Sequence, residues 1–232
     1  MPESTPAPSL DMVYLVGSAG HPNYGDEFLT AAWLRHLAKS HPDAEVWLDC
    51  PRPGLASHMF AGLHPRLRTT DTLFRVSWET VDMDPTAADA HVDRLVTELG
   101  TPLYDLGLVD ARRANSLHML GGGYINATWP HHMALLRAAV RLRATGVPVV
   151  FTGDFNERVS AFCQMTSAGL HAANGGSHSG GRCVPPGDNG IDWIFGSSQI
   201  QFSNYVRQRD ALVRRTTDHP VVIAHAQVNR GG

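Results

Sequence analysis

The chain has 232 residues, with 19 Lys and Arg against 22 Asp and Glu and a formal net charge of −3 with histidine neutral. An apolar content of 43% with 18% charged residues excludes a disordered or collagen-like chain, and the slight acidity leaves no charge signature for coating nucleic acid. No apolar run reaches the roughly 18 residues of a membrane span, so no membrane partner is expected.

Residues 1–11 read as a flexible N-terminus, and they lack the basic end and apolar stretch of a signal peptide, which predicts a cytoplasmic protein. The apolar run Met12-Val-Tyr-Leu-Val-Gly17 reads as a strand and Glu27 to Ala38 as an amphipathic helix. A strand over 44–49, helices over 54–63 and 86–99, a strand over 116–120, a helix over 132–145 ended by Gly146, and a strand over 147–152 follow. Strands separated by helices imply crossover units, so the expected fold class is α/β with a Rossmann-like parallel sheet flanked by helices. After residue 150 the texture changes. Residues 170–189 read as a long Gly/Ser/His-rich surface loop, and 190–195, 200–206 and 220–226 as strands with almost no helix between them. The expected organisation is therefore 12–150 as one Rossmann-like half and 151–232 as a strand-and-loop segment. Cys50, Cys163 and Cys183, odd in number and far apart, read as free thiols. His171, His178 and Cys183 fit no common zinc spacing and read as parts of a solvated loop; His131 and His132 read as a cap and surface pair.

Two turns carry a first set of candidate residues. Val16-Gly-Ser-Ala-Gly-His-Pro-Asn-Tyr-Gly-Asp-Glu27 joins a strand to a helix, and its glycines and helix N-terminus suit an anionic ligand; it equally suits a tight loop with Asp26 as helix cap. Leu120-Gly-Gly-Gly-Tyr-Ile-Asn126 also follows an apolar strand. Two such turns at strand C-termini of one sheet face the same crevice, where open α/β sheets bind ligands. His21-Pro-Asn-Tyr-Gly-Asp-Glu27, Val46-Trp-Leu-Asp-Cys-Pro51, Leu63-His-Pro-Arg-Leu-Arg68 and Leu117-His-Met-Leu-Gly-Gly-Gly-Tyr-Ile-Asn126 resemble the N-terminal half of the polysaccharide pyruvyl transferase family over roughly residues 12–150. The resemblance implies transfer of pyruvate from phosphoenolpyruvate to a sugar, with His21, Asn23, Gly25, Asp26, Gly121, Gly122 and Gly123 lining the substrate crevice.

The second set lies beyond residue 147. In Thr152-Gly-Asp-Phe-Asn156, Asp154 and Asn156 project from one side of a strand tip, where a carboxylate can deprotonate a water and an amide can hold a phosphoryl oxygen. Asp192 lies within the apolar strand Ile191-Asp-Trp-Ile-Phe195 and needs a partner, and Asp218-His219 sets a carboxylate beside an imidazole. Gly153-Asp-Phe-Asn156, Gly190-Ile-Asp-Trp-Ile-Phe195 and Thr217-Asp-His-Pro220, in that order, resemble the C-terminal motifs of the endonuclease/exonuclease/phosphatase family over roughly residues 147–226, which implies a strand-and-loop segment like the C-terminal part of an α/β four-layer sandwich. That resemblance implies Asp154 activating the attacking water, Asn156 positioning it or the phosphate, Asp192 paired with His219, and Asp218 near a Mg2+ or Mn2+ ion. The family's metal-binding Glu and the Asn of its first half have no counterpart here; Glu27, Glu45 and Asp49 stand in other contexts.

Together these readings describe a composite chain joined near residues 146–153. The expected function is that of a pyruvyl-transferase-like protein, probed against a metal-dependent phosphodiesterase or nuclease and against an inactive or purely binding product, with a carbohydrate or phosphate-ester substrate. The C-terminal strands lack the partners of a two-sheet sandwich, so they either add to the first sheet or leave edges open to self-association.

Overall fold

The computed structural model describes residues 11–229 except Pro22, Gly122, Asn126, Ala127 and Asn189. Its centre is a seven-stranded sheet in the order β3-β2-β1-β4-β5-β9-β6. The first five, β1 (Met12–Val16), β2 (Glu45–Asp49), β3 (Leu67–Thr70), β4 (Ser116–Leu120) and β5 (Val149–Asp154), are parallel. Strands β1 and β4 are buried at every position, as a parallel sheet covered on both faces requires.

Pleat alternation divides the core into two layers. Met12, Tyr14 and Val16 of β1, Leu117 and Met119 of β4 and Val149 and Phe151 of β5 face α3 (Thr72–Trp78), α4 (Pro85–Thr97), α5 (Pro102–Arg113) and α6 (Met133–Ala144). Val13 and Leu15 of β1 and Val46 and Leu48 of β2 face α1 (Tyr24–Ser40) and α2 (Pro53–Met59). Arg137 and Arg141 of α6 pair with Asp89 and Asp93 of α4 and fix the outer helices.

Past β5 the chain forms α7 (Val159–Ser167), β6 (His171–Ala172), a hairpin of β7 (Ser177–Ser179) and β8 (Arg182–Val184), β9 (Asp192–Gly196), β10 (Ile200–Gln208), α8 (Ala211–Thr216) and β11 (Val221–Val228). The C-terminal strands part company: β9 pairs antiparallel with β5 and β6 with β9, extending the first sheet, whereas β10 and β11 pair only with each other. The β10–β11 ribbon is pressed against β9, since a Cβ at Gly196 would lie 2.8 Å from the Phe202 ring.

The α/β class and parallel first half expected from the sequence are present, with several elements added. Helix α3 is buried nearly all round, at Thr72, Leu73, Phe74, Val76 and Ser77, so it carries no amphipathic stripe to read. Helix α5 contains Gly107, which suits close packing rather than helix propensity: a Cβ there would collide with Thr72. The stretch 170–189 is not a featureless loop but holds β6 and the β7–β8 hairpin. Two cysteines read as free are joined, Cys163 to Cys183, because α7 packs on the β7–β8 hairpin and sets their Cα atoms 5.6 Å apart; Cys50 alone is a free, buried thiol.

A buried polar group ties the sheet to the helices of one layer. Asp49, at the end of β2 and fully buried, accepts from Tyr14 Oη at 2.7 Å, from the Leu73 N–H at 2.7 Å and from the Phe74 N–H at 3.4 Å. Asp71, the N-cap of α3, makes no side-chain cap bond, so Asp49 caps that helix from the end of the neighbouring strand β2. Burial pushes the Asp49 carboxyl up to about 7, against the opposing pull of those donors. Between about pH 4 and 7 the folded chain therefore keeps a proton that the unfolded chain has released, and stability falls as pH rises through that window. Urea unfolding near pH 4.5 and 7.5 is expected to show a loss of about 3 kcal/mol in the parent, much reduced in Asp49→Asn; equal pH dependence in the two chains would rule this out.

Candidate functional site

The residues with the sharpest chemistry meet where β5 and β9 pair. Antiparallel register sets Asp154 opposite Asp192 and Thr152 opposite Ile194, so both carboxylates leave the same face of the sheet at its open end. The intervening Trp193 and Phe195 point the other way and pack with Phe162 of α7, ring centroids 5.7 and 6.5 Å from it. This apolar side holds β9 in register. The turn after Asp154 is also fixed: the Phe155 N–H donates to the Ile191 carbonyl at 2.8 Å and Trp193 Nε1 to the Glu157 carbonyl at 2.9 Å. Asn156 adopts a left-handed φ of 54°, which lets its N–H reach Asp154 Oδ1 at 2.8 Å and set that carboxylate's direction.

His219 arrives from the ribbon. It follows α8, whose Asp210 N-cap accepts from the Leu212 and Val213 N–H groups, and its own N–H donates to Thr217 Oγ1 at 3.1 Å. Its Nδ1 lies 2.9 Å from Asp192 Oδ1, while Nε2 stands 3.8 Å from Asp154 Oδ2 and 3.8 Å from Asp218 Oδ1. The Arg207–Asp188 ion pair holds the ribbon beside the site. The hydrogen bond to Asp192 raises the His219 imidazole above its ordinary range, with the charges of Asp192, Asp154 and Asp218 adding to it against slight burial. Burial raises the Asp192 carboxyl, opposed by His219.

Asp154, Asp192 and His219 each offer a ligand atom, and those atoms lie within 4.8 Å of one another. The donors fit a divalent cation: two carboxylates and an imidazole converge, and Asp192 Oδ2 is buried with no hydrogen-bond partner. Asp218, expected beside the metal, is 96% exposed and stands outside this group of three. Asn156 is exposed at the rim. Among the described residues, no carboxylate from the first 146 joins the group, so the missing first-half Glu has no spatial substitute there.

The first set of residues gathers elsewhere on the same end of the sheet, past β1 and β4. Asn23 caps α1, accepting from the Gly25 N–H at 3.2 Å, and its Nδ2 donates to Asp26 Oδ2 at 2.7 Å. Gly121 turns at φ +72°, and a Cβ there would meet Asp26 Oδ1 at 3.6 Å, so the two turns do come together. Burial, and next the charge of Glu27, raises the Asp26 carboxyl. His21 is partly buried, Gly25 and Gly123 are exposed, and Gly122 lies outside the described residues.

Two residues not singled out by pattern close this crevice. Tyr124 is buried with its hydroxyl 3.4 Å from the Val16 carbonyl, and His132 Nδ1 donates to the Tyr124 carbonyl at 2.6 Å. His132 is thus buried rather than a surface residue, packed edge-on to Phe74. Tyr124's place directly after the Gly-rich turn was its only signal in the sequence.

The Asp192–His219 contact yields a direct expectation. In NMR titrations the His219 ring should titrate above the ordinary value of about 6.5 and move down in Asp192→Asn, which removes the charge that favours imidazolium; an unchanged midpoint would show that the pair does not form. No protein-family model, curated protein or solved structure matches the chain.

Proposed function

We propose that the chain hydrolyses phosphate esters, most naturally phosphodiesters, with a divalent cation at the Asp154–Asp192–His219 cluster. One observation carries this reading: three segments far apart in sequence, β5, β9 and the turn before β11, deliver a carboxylate-oriented imidazole and a second carboxylate to one open end of the sheet. Asp192 holds the His219 ring through Nδ1, so Nε2 faces the space in front of Asp154. Asp154, directed by the Asn156 N–H, and His219 Nε2 face one space, where a cation held between them would bring a bound water beside a phosphoryl oxygen. A divalent cation bound there would supply positive charge to the phosphoryl oxygens and lower the pKa of a bound water. A cytoplasmic location belongs to the same proposal.

Hydrolysis of bis-p-nitrophenyl phosphate, assayed with Mg2+, Mn2+ or Zn2+, is expected to need the metal and to fall at least about 100-fold in Asp154→Ala and His219→Ala while persisting in Asp26→Ala. Absence of metal-dependent turnover in the parent chain overturns the proposal.

A second reading rests on the other crevice. Asp26, Gly121 and Tyr124 meet at the C-terminal ends of β1 and β4, where the strand order reverses and open α/β sheets bind ligands. This favours a pyruvyl-transferase-like protein acting on phosphoenolpyruvate and a sugar. Calorimetry with phosphoenolpyruvate is expected to show binding that Gly121→Val, which fills the space beside Asp26, weakens at least about tenfold; no heat in the parent chain removes this reading.

A further inference from the structure

Within the proposed hydrolytic site, and resting on that reading, the atoms are arranged unequally around His219. We propose that His219 Nε2 and Asp154 are direct ligands of a zinc-class ion, with Asp192 as the outer carboxylate that orients the imidazole, so that the site selects Zn2+ or Co2+ over Mg2+.

His219 Nδ1 is 2.9 Å from Asp192 Oδ1 and is occupied by that hydrogen bond, which fixes the tautomer with Nε2 unprotonated once the imidazole is neutral. Carboxylate–histidine–metal triads use this arrangement, the outer acid holding the ring and raising its basicity. Nε2 then faces Asp154 Oδ2 and Asp218 Oδ1, each 3.8 Å away. Metal bonds of about 2.0–2.2 Å in a tetrahedral site place neighbouring ligand atoms about 3.4 Å apart. Closing from 3.8 Å takes a few tenths of an ångström, within reach of side chains that are 34% and 30% exposed. Asp154 keeps its second oxygen on the Asn156 N–H, so a single oxygen is presented to the ion. Asp218, 96% exposed, is a swinging third ligand that water can replace, which leaves positions open for a substrate oxygen.

The choice of metal follows from the donors. Mg2+ prefers octahedral oxygen shells and keeps several waters, typically held by one or two carboxylates and substrate phosphates. An imidazole nitrogen in the inner shell favours Zn2+ and Co2+. The described residues offer no further carboxylate from the first half of the chain to complete an all-oxygen set at this group.

The test reads binding itself. Titration of the full chain with Co2+ is expected to give visible ligand-field absorption at one equivalent, displaced by Zn2+ but not by a roughly 1000-fold excess of Mg2+. His219→Gln and Asp154→Asn should weaken Co2+ binding at least about 100-fold, and Asp192→Asn by about 10–100-fold, with folding checked by circular dichroism. In the Co2+-loaded parent, a paramagnetic shift of the His219 ring protons reports the bond without any variant. Displacement of Co2+ by Mg2+ at comparable concentration, or an unshifted His219 ring, overturns the proposal. Zn2+ binding without phosphodiester turnover removes the hydrolase reading and leaves this one standing; turnover with Mg2+ and no Co2+ or Zn2+ binding does the reverse.

Discussion

Strand β5 sets what the rest of the molecule can do. One edge pairs parallel with β4 and the other antiparallel with β9, so it is the seam where the crossover half of the fold meets the strand-rich half. Its pleat does two jobs. Val149 and Phe151 enter the helix-covered core, while the opposite phase brings Thr152 and then Asp154 to the other face at the strand tip. Because antiparallel partners share a face, fixing Asp154 also fixes Asp192. A one-residue slip of β9 would bury Asp192 among the aromatic rings of Phe162 and Phe195 and expose Trp193, a loss large enough to hold the register.

Two buried or part-buried carboxylates show how environment separates scaffold from chemistry. Asp49 accepts from three donors and joins β1, β2 and α3; nothing in its surroundings opens to a ligand. Asp192 has one oxygen on His219 and the other buried without a partner, at an end of the sheet that opens to solvent. The first arrangement is complete and stabilising. The second is incomplete, the usual mark of a place where something else binds.

The β10–β11 ribbon is the least self-sufficient part. Val206, Val221 and Ile223 are exposed, and among the described residues the ribbon has no third strand. An isolated two-stranded sheet is marginal in water, so its placement depends on contacts with the main sheet and its loops, among them Phe202 against Gly196 and His171, Arg207 with Asp188, and His219 with Asp192. The last of these joins the candidate-site pair to the docking of the element that carries half of it.

The local patterns of the sequence determined much. Apolar runs made β1 and β4 legible as strands and Gly146 marked a helix end, whereas the cap of α1 is Asn23 and not the expected Asp26, which falls in the first turn; the spacing of Gly153-Asp-Phe-Asn156, Ile191-Asp-Trp and Asp218-His219 placed carboxylates and an imidazole at strand ends. Other features had no local signal. Helix α3 is buried on too many sides to show a stripe, Gly107 masks α5, and the Cys163–Cys183 bond needs α7 packed on a hairpin. Whether the C-terminal strands would find partners was likewise open, since pairing between distant segments depends on edges that one segment cannot display. Tertiary structure alone decided that β9 closes onto β5, bringing Asp154 and Asp192 face to face, and that Asp218 remains in solvent while His219 turns inward. The physical reason is range: side-chain period and capping act over a few residues, whereas strand pairing and the convergence of charged groups are settled only when the whole core packs.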